Sequence, residues 1–117
     1  MTESTSQSRA LPHHRLVAYH VALELLRIVR DANIRDPTLR DQALRAGKSV
    51  CLNVAEAAGG KSPADRARVF AIARGEVLEA VAALEIAAVA ADTDPQFLAM
   101  AEPVADRLYG LLTGLAR

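Results

Sequence analysis

The sequence predicts an all-α fold: an antiparallel up-down four-helix bundle that associates with copies of itself. Three observations carry this. Apolar residues recur at the three-and-four spacing of amphipathic helices. The pairs Asp36-Pro37, Ser62-Pro63 and Asp94-Pro95 interrupt that spacing, and the segment Ala80 to Ala91 is apolar at eleven of its twelve positions. A chain of 117 residues is one domain by size and buries a modest core. With three per cent aromatic residues and no Trp, that core must come from Leu, Val, Ile and Ala.

Residues 1–11 carry Glu3 among Ser and Thr and lack an apolar signal core, so they read as a disordered tail ahead of a bundle domain at 12–117. The first helix is expected from about His13 to Asn33. Ala18, Tyr19, Ala22, Leu26 and Val29 share one face, and Val17, Val21 and Ile28 form a second stripe on the far side. Asp36-Pro37 forces a turn, because a residue before proline avoids helical backbone angles. The second helix then starts near Thr38, with Leu39, Ala43, Val50, Val54 and Ala57 on its core face. Gly59 ends it in the left-handed conformation, while Ser62 and Pro63 open the third helix as N-cap and first residue, with Asp65 near the exposed amides. The third helix runs to about Ala91 and buries Phe70, Ala73, Val77, Val81, Leu84 and Ala88. Asp94 and Pro95 cap the fourth, whose core is Phe97, Met100, Val104, Leu108, Leu111 and Leu115. Pro103 removes a backbone donor inside that pattern, so the helix is expected to kink there or to begin in earnest only there.

The segment Ala80 to Ala91 offers water almost no polar side. A helix apolar all round must be buried on more than one side, which a lone four-helix bundle does not provide, so a homo-oligomer is expected. Glu85 breaks the segment and it is too short to span a bilayer, so no membrane span is expected. A single Cys51 permits no intramolecular disulfide and suits a reducing compartment, and the expected location is cytoplasmic. Net charge is zero, but residues 1–74 hold 12 Lys and Arg against 7 Asp and Glu, and residues 75–117 hold 2 against 7. The halves are therefore +5 and −5, able to serve an anionic partner, to meet across subunits, or simply to solvate two faces.

On the second helix Gln42, Arg45, Ser49, Asn53 and Glu56 form a polar stripe at steps of three and four. Arg74 borders the third-helix core within reach of Glu56 or Asn53. This predicts a partly buried structural network of Gln42, Asn53, Glu56, Arg74 and Glu79; the alternative is an exposed arginine with no fixed partner.

Arg45-Ala46, Ser49, Asn53-Val54-Ala55-Glu56, and then Phe70, Ile72-Ala73-Arg74-Gly75 and Glu79 resemble the signature of the small four helix bundle proteins related to ribosomal-RNA intervening-sequence proteins. That family includes the accessory variability protein of diversity-generating retroelements. The likeness runs from about Leu11 to Leu115. It departs at Leu44, where a second basic residue is usual, at Ala57, where Gly is usual, and at Glu76, where Ser is usual. One positive charge is lost and one negative gained, which weakens the electrostatic case for nucleic acid. The resemblance implies a ring-like homo-oligomer, a pentamer of antiparallel bundles, and for the retroelement relatives pairing with a reverse transcriptase.

Catalytic motifs are not evident. Gly60-Lys61-Ser62 and Gly47-Lys48-Ser49 look like the tail of a phosphate-binding loop but lack its earlier glycine and a preceding strand. His13, His14 and His20 lack a completing ligand set, so no metal and no cofactor are expected. Cys51 reads as a buried structural thiol. Glu76, Glu79 and Glu85 lie on different sides of a helix, and no enzymatic activity is expected. Two classes remain. One is an adaptor binding structured RNA or DNA through phosphates, with Arg40, Arg45, Lys48, Lys61, Arg66 and Arg68 as contacts on helices two and three. The other is a protein-interaction scaffold recruiting a partner polypeptide such as a reverse transcriptase.

Overall fold

The computed structural model describes residues 11–117; the expected tail at residues 1–11 lies, except for the exposed Leu11, outside the described residues. A short 3-10 turn at Pro12–Arg15 leads into four helices: α1 Val17–Ala32, α2 Pro37–Ala58, α3 Pro63–Val89 and α4 Pro95–Leu115. The fold is all-α, with no strand among the described residues. Each helix packs on the next and α4 returns against α1, while α2 and α4 lie across the bundle and do not touch. No helix among the described residues is long and apolar enough to cross a membrane.

Local chemistry sets three of the four helix starts. The Asp36 carboxylate accepts from the Leu39 amide at 2.8 Å, and Pro37 takes the first helical position. The Ser62 hydroxyl accepts from the Asp65 amide at 3.1 Å ahead of Pro63, and the Asp94 carboxylate from the Gln96 amide at 2.9 Å ahead of Pro95. In each case a side-chain oxygen satisfies an amide that the helix leaves without a partner, and proline sits where its missing N–H matters least. α1 has no such cap and starts later than expected. Pro12–Arg15 form only a 3-10 turn, and Leu16 is extended at φ −88°, ψ 122° before the α-helix begins at Val17.

The left-handed positions also fall elsewhere than expected. Gly59 has φ −95°, and α2 closes by tightening, with the Gly59 amide bonded to the Glu56 carbonyl and the Gly60 amide to that of Ala57. Positive φ occurs instead at Asn33 (44°) and Ala91 (60°). α3 ends at Val89, and Ala91 reverses the chain: its amide donates to the Ala88 carbonyl and the Asp92 amide to that of Ala87. This is the paired bonding pattern of a Schellman cap, made here without glycine.

The connections after α1 and α3 are stitched together. The Arg35 amide donates to the Asp92 carbonyl at 2.9 Å, and the buried Thr93 hydroxyl donates to the Ala32 carbonyl at 2.7 Å. The Arg35 guanidinium adds a bond to the Ala91 carbonyl.

The core is aliphatic, with Leu25, Ile34, Val50, Val54, Val77, Leu84, Leu108 and Leu112 fully buried among alanines. On α1 the far stripe is not separate: Val21 and Ile28 are buried with Ala18, Ala22, Leu25 and Val29, while Val17 is exposed and Tyr19 and Leu26 are half-buried. α1 is covered by both α2 and α4, so its buried arc is wider than one stripe. On α3, Val69, Ala80, Ala83 and Ala87 join Phe70, Ala73, Val77 and Leu84 in the core, whereas Val81 and Ala88 stop at its border. On α4 the buried line is Ala101, Ala105, Leu108 and Leu112, with Phe97, Val104 and Leu111 packed beside it and Met100 and Leu115 exposed. α4 is one helix from Pro95 onward and does not begin at Pro103. Pro103 and Ala99, one turn earlier, are both exposed, so the carbonyl deprived of a helical partner faces water.

Candidate nucleic-acid interface

The six basic residues singled out from the sequence divide by what holds them. Arg45 and Lys48 lie one turn apart on the exposed face of α2 and take part in no ion pair among the described residues. They border a shallow depression with Asp41, Leu44, Ser49 and the largely exposed Leu52. Arg40 is half-buried at the start of α2 and donates to the Ile34 carbonyl at 3.1 Å, holding the α1–α2 connection. Arg66 is half-buried and donates to the Gly60 carbonyl at 3.3 Å, while Arg68 pairs with Asp65 at 3.0 Å on the surface. Lys61 is exposed in the α2–α3 connection. α2 is 22 residues long, about 33 Å at roughly 1.5 Å per residue. Arg40 at its start and Lys61 beyond its end are therefore far apart, and the six residues do not make one compact patch.

Two basic residues that were not foreseen join this surface. Arg27 and Arg30, one turn apart on α1, line a groove of about 290 Å³ with Leu23, Leu26, Leu44 and Lys48. Arg30 pairs with its own neighbour Asp31 at 2.9 Å, both largely exposed. The signal was present in the three-residue spacing of Leu23 with Leu26 and Arg27 with Arg30, outside the two helices that carry the motif.

The polar network takes a different course from the one expected. Arg74 turns toward α4: its guanidinium sits 5.7 Å from the Tyr109 ring centre and donates to the Thr113 hydroxyl at 3.5 Å. Gln42 and Glu56 are exposed, and no hydrogen bond or ion pair joins either of them to Arg74 among the described residues. Asn53 donates to the Ser49 hydroxyl at 3.2 Å, a bond within α2. On α3 the Glu76 carboxyl lies close enough to Glu79, and to Ser49 and Arg45 of α2, to be influenced by all three. Partial burial, then the Glu79 hydrogen bond and charge, push Glu76 above the usual carboxylate range; Ser49 and Arg45 oppose this. Of the five expected members, Asn53 therefore bonds within its own helix, Glu79 acts on Glu76, and Arg74 turns to α4.

Cys51 is buried, and desolvation pushes its thiol up to about 11, with the charge of Arg27 opposing. It is a protonated packing residue at neutral pH. His13, His14, Tyr19 and His20 form a ring cluster, His13 lying 4.3 Å from His14 and 4.7 Å from Tyr19 between centroids. No group of three His, Cys, Asp or Glu able to hold a metal occurs among the described residues.

On the opposite side, α3 and α4 frame a groove of about 430 Å³ lined by Leu78, Val81 and Tyr109 and by Glu85, Glu102 and Asp106. The two grooves thus differ in sign, three carboxylates lining the one between α3 and α4 and three cations the one between α1 and α2, although Glu24 and Asp31 balance Arg27 and Arg30 along α1 and Arg66, Arg68 and Arg74 lie on α3. Beyond the acidic groove α3 leaves Ile86 56% and Val89 91% exposed.

Comparison with known proteins bears on this arrangement. The model of the family described as 23S rRNA-intervening sequence protein matches residues 16–112, from the residue before α1 to the buried Leu112 of α4. No curated protein matches the chain.

Proposed function

The chain belongs to the 23S rRNA-intervening sequence protein family, and on that premise we propose that it is a non-enzymatic, cytoplasmic, oligomeric adaptor that binds structured RNA or DNA. The observation that carries this is the pair Arg45 and Lys48, exposed on α2 and in no ion pair among the described residues. Lys61, Arg66 and Arg68 continue the basic character at the α2–α3 end, and Arg40 at the other. Contacts of this kind go to phosphates and read shape, since the chain has almost no aromatic surface on which to stack bases.

The fold under this reading is an antiparallel up-down bundle, supported by the short connections and by the stitching of the first and third of them. Its assembly is a ring-like homo-oligomer, a pentamer by family resemblance. The exposed Leu78, Ile86 and Val89 on α3 support association, because a large apolar patch is seldom left to water. The same patch favours the second reading, a scaffold that recruits a partner polypeptide.

A salt series on binding to unrelated structured RNA and DNA duplexes tests the proposal. Affinity is expected to fall linearly in log–log form with a slope of about −0.9 per phosphate contacted, or about −4 for four to five contacts. Replacing Arg45 and Lys48 with Gln should flatten that slope by about 2. Absence of binding at low salt would overturn the nucleic-acid role and leave the scaffold reading.

A further inference from the structure

We propose that the acidic groove between α3 and α4 receives the basic edge of α1 from a second copy of this chain. The inference rests on the oligomeric reading above and names the two faces that meet.

The faces match in chemistry and in scale. The acidic groove presents Glu85, Glu102 and Asp106 around Leu78, Val81 and Tyr109. The basic groove presents Arg27, Arg30 and the border residue Lys48 around Leu23, Leu26 and Leu44. Each is an apolar strip flanked by three charges of one sign. The three carboxylates are exposed and engaged in no ion pair or hydrogen bond among the described residues, and on the basic side only Arg30 is paired, to its exposed neighbour Asp31. The two grooves cannot satisfy each other within one molecule. They lie on opposite sides of the bundle, one between α1 and α2 and the other between α3 and α4.

A second copy is the occupant that this chain supplies at equal concentration with opposite charge. Complementary potentials both attract the partner and fix its register, and grooves on opposite sides of the bundle cannot both be filled by the same second copy. The contact is therefore head-to-tail, using different patches on the two subunits, and such contacts propagate into a closed ring when the rotation permits. Arg27 and Arg30 are then committed to assembly, Lys48 stands on the border of both surfaces, and Arg45 with the α2–α3 end is left for a polyanion.

Sedimentation of the full chain over a concentration series tests the contact. The wild type should associate, and the triple variant Glu85→Lys, Glu102→Lys, Asp106→Lys should associate more weakly by on the order of tenfold or more. The variant Arg27→Glu, Arg30→Glu should be weakened in the same way. Mixing the two should restore assembly, since each then offers the charge that the other lacks. Should a reversed variant fail to fold, the neutral sets Glu85→Gln, Glu102→Gln, Asp106→Asn and Arg27→Gln, Arg30→Gln should still weaken association. A wild type of single-subunit mass at every concentration overturns the proposal. So does a variant, reversed or neutral, that keeps the wild-type mass, or a mixture that does not re-associate. The acidic-face variants retain Arg45 and Lys48, so their duplex binding reports on the adaptor role separately. An assembly insensitive to either face leaves the oligomeric adaptor standing and removes only this contact.

Discussion

Arg74 on α3 lies over the ring of Tyr109 on α4, 5.7 Å from the ring centre. It also reaches Thr113, whose hydroxyl donates to the Tyr109 carbonyl at 2.8 Å. The arginine thereby fixes the register of α3 on α4. In a double-mutant cycle, Arg74→Ala and Tyr109→Leu should show a coupling of about 0.5–1 kcal/mol, the range for a partly exposed cation over an aromatic face. Urea unfolding midpoints measure it. The pair Arg74→Ala and Glu56→Ala should show none.

Ala91 holds φ 60° at the reversal after α3. A left-handed residue with a Cβ is disfavoured by roughly 1–2 kcal/mol, and glycine's greater freedom in the unfolded chain takes back part of the gain. Ala91→Gly should therefore stabilise the protein by about 0.5–1 kcal/mol. Thermal and urea denaturation should both move upward, and Gly59→Ala, at a φ of −95°, should show no comparable conformational penalty.

Glu76 is held above the usual carboxylate range by partial burial and by Glu79, with Ser49 and Arg45 opposing. A carboxyl whose folded value is raised binds its proton more tightly when folded. Its contribution to stability is present below the ordinary value of 4.5 and is lost as pH rises through the folded value. Glu76→Gln should consequently be more stable than wild type at neutral pH, with the difference shrinking toward zero in acid below 4.5. Urea titrations at a series of pH values give the profile, and a constant difference across it would contradict this account.

The Cys51 thiol is buried and pushed up to about 11. At pH 8 the thiolate that reacts with alkylating reagents is scarce and covered. Native protein should be modified by iodoacetamide far more slowly than protein in denaturant, by a factor that follows global stability. Mass spectrometry of timed samples reads this directly.

The starts of α3 and α4 were legible in the sequence because each depends on two adjacent residues, Ser62-Pro63 and Asp94-Pro95. Asp36-Pro37 read only as a turn, although Asp36 caps α2 and Pro37 opens it, and the uncapped start of α1 was set four residues early. Helix ends were less legible. The reversal at Ala91 is held by bonds to Ala87 and Ala88 and by the Arg35 and Thr93 contacts across the bundle, which a glycine search does not detect. Periodicity found the centre of the α3 face at Phe70, Ala73, Val77 and Leu84 but not its width, since apolar residues surround the helix and only packing decides that Ala80, Ala83 and Ala87 go inside while Leu78, Ile86 and Val89 stay out. Arg74 was placed on the wrong neighbour for the same reason: α3 touches both α2 and α4, and one residue of rotation separates the two. Of the basic surface, Arg45 was found through the motif and Lys48 as a further basic residue of the same helix, whereas Arg27 and Arg30 required the fold that brings α1 beside Leu44.

The Arg35–Asp92 and Thr93–Ala32 bonds clasp the segments that follow α1 and α3, some sixty positions apart, while the start of α1 and the last turns of α4 meet across an open groove lined by Leu16, Val17, Leu111 and Leu115. Opening fluctuations consequently have a direction: amides around Tyr109 to Leu115 and Val17 to His20 exchange with solvent first, and those beside Ala32 and Ala87 wait for the molecule to come apart entirely. Heat or mechanical pull applied to either terminus enters through the open groove and must travel along the helices before the clasp gives way.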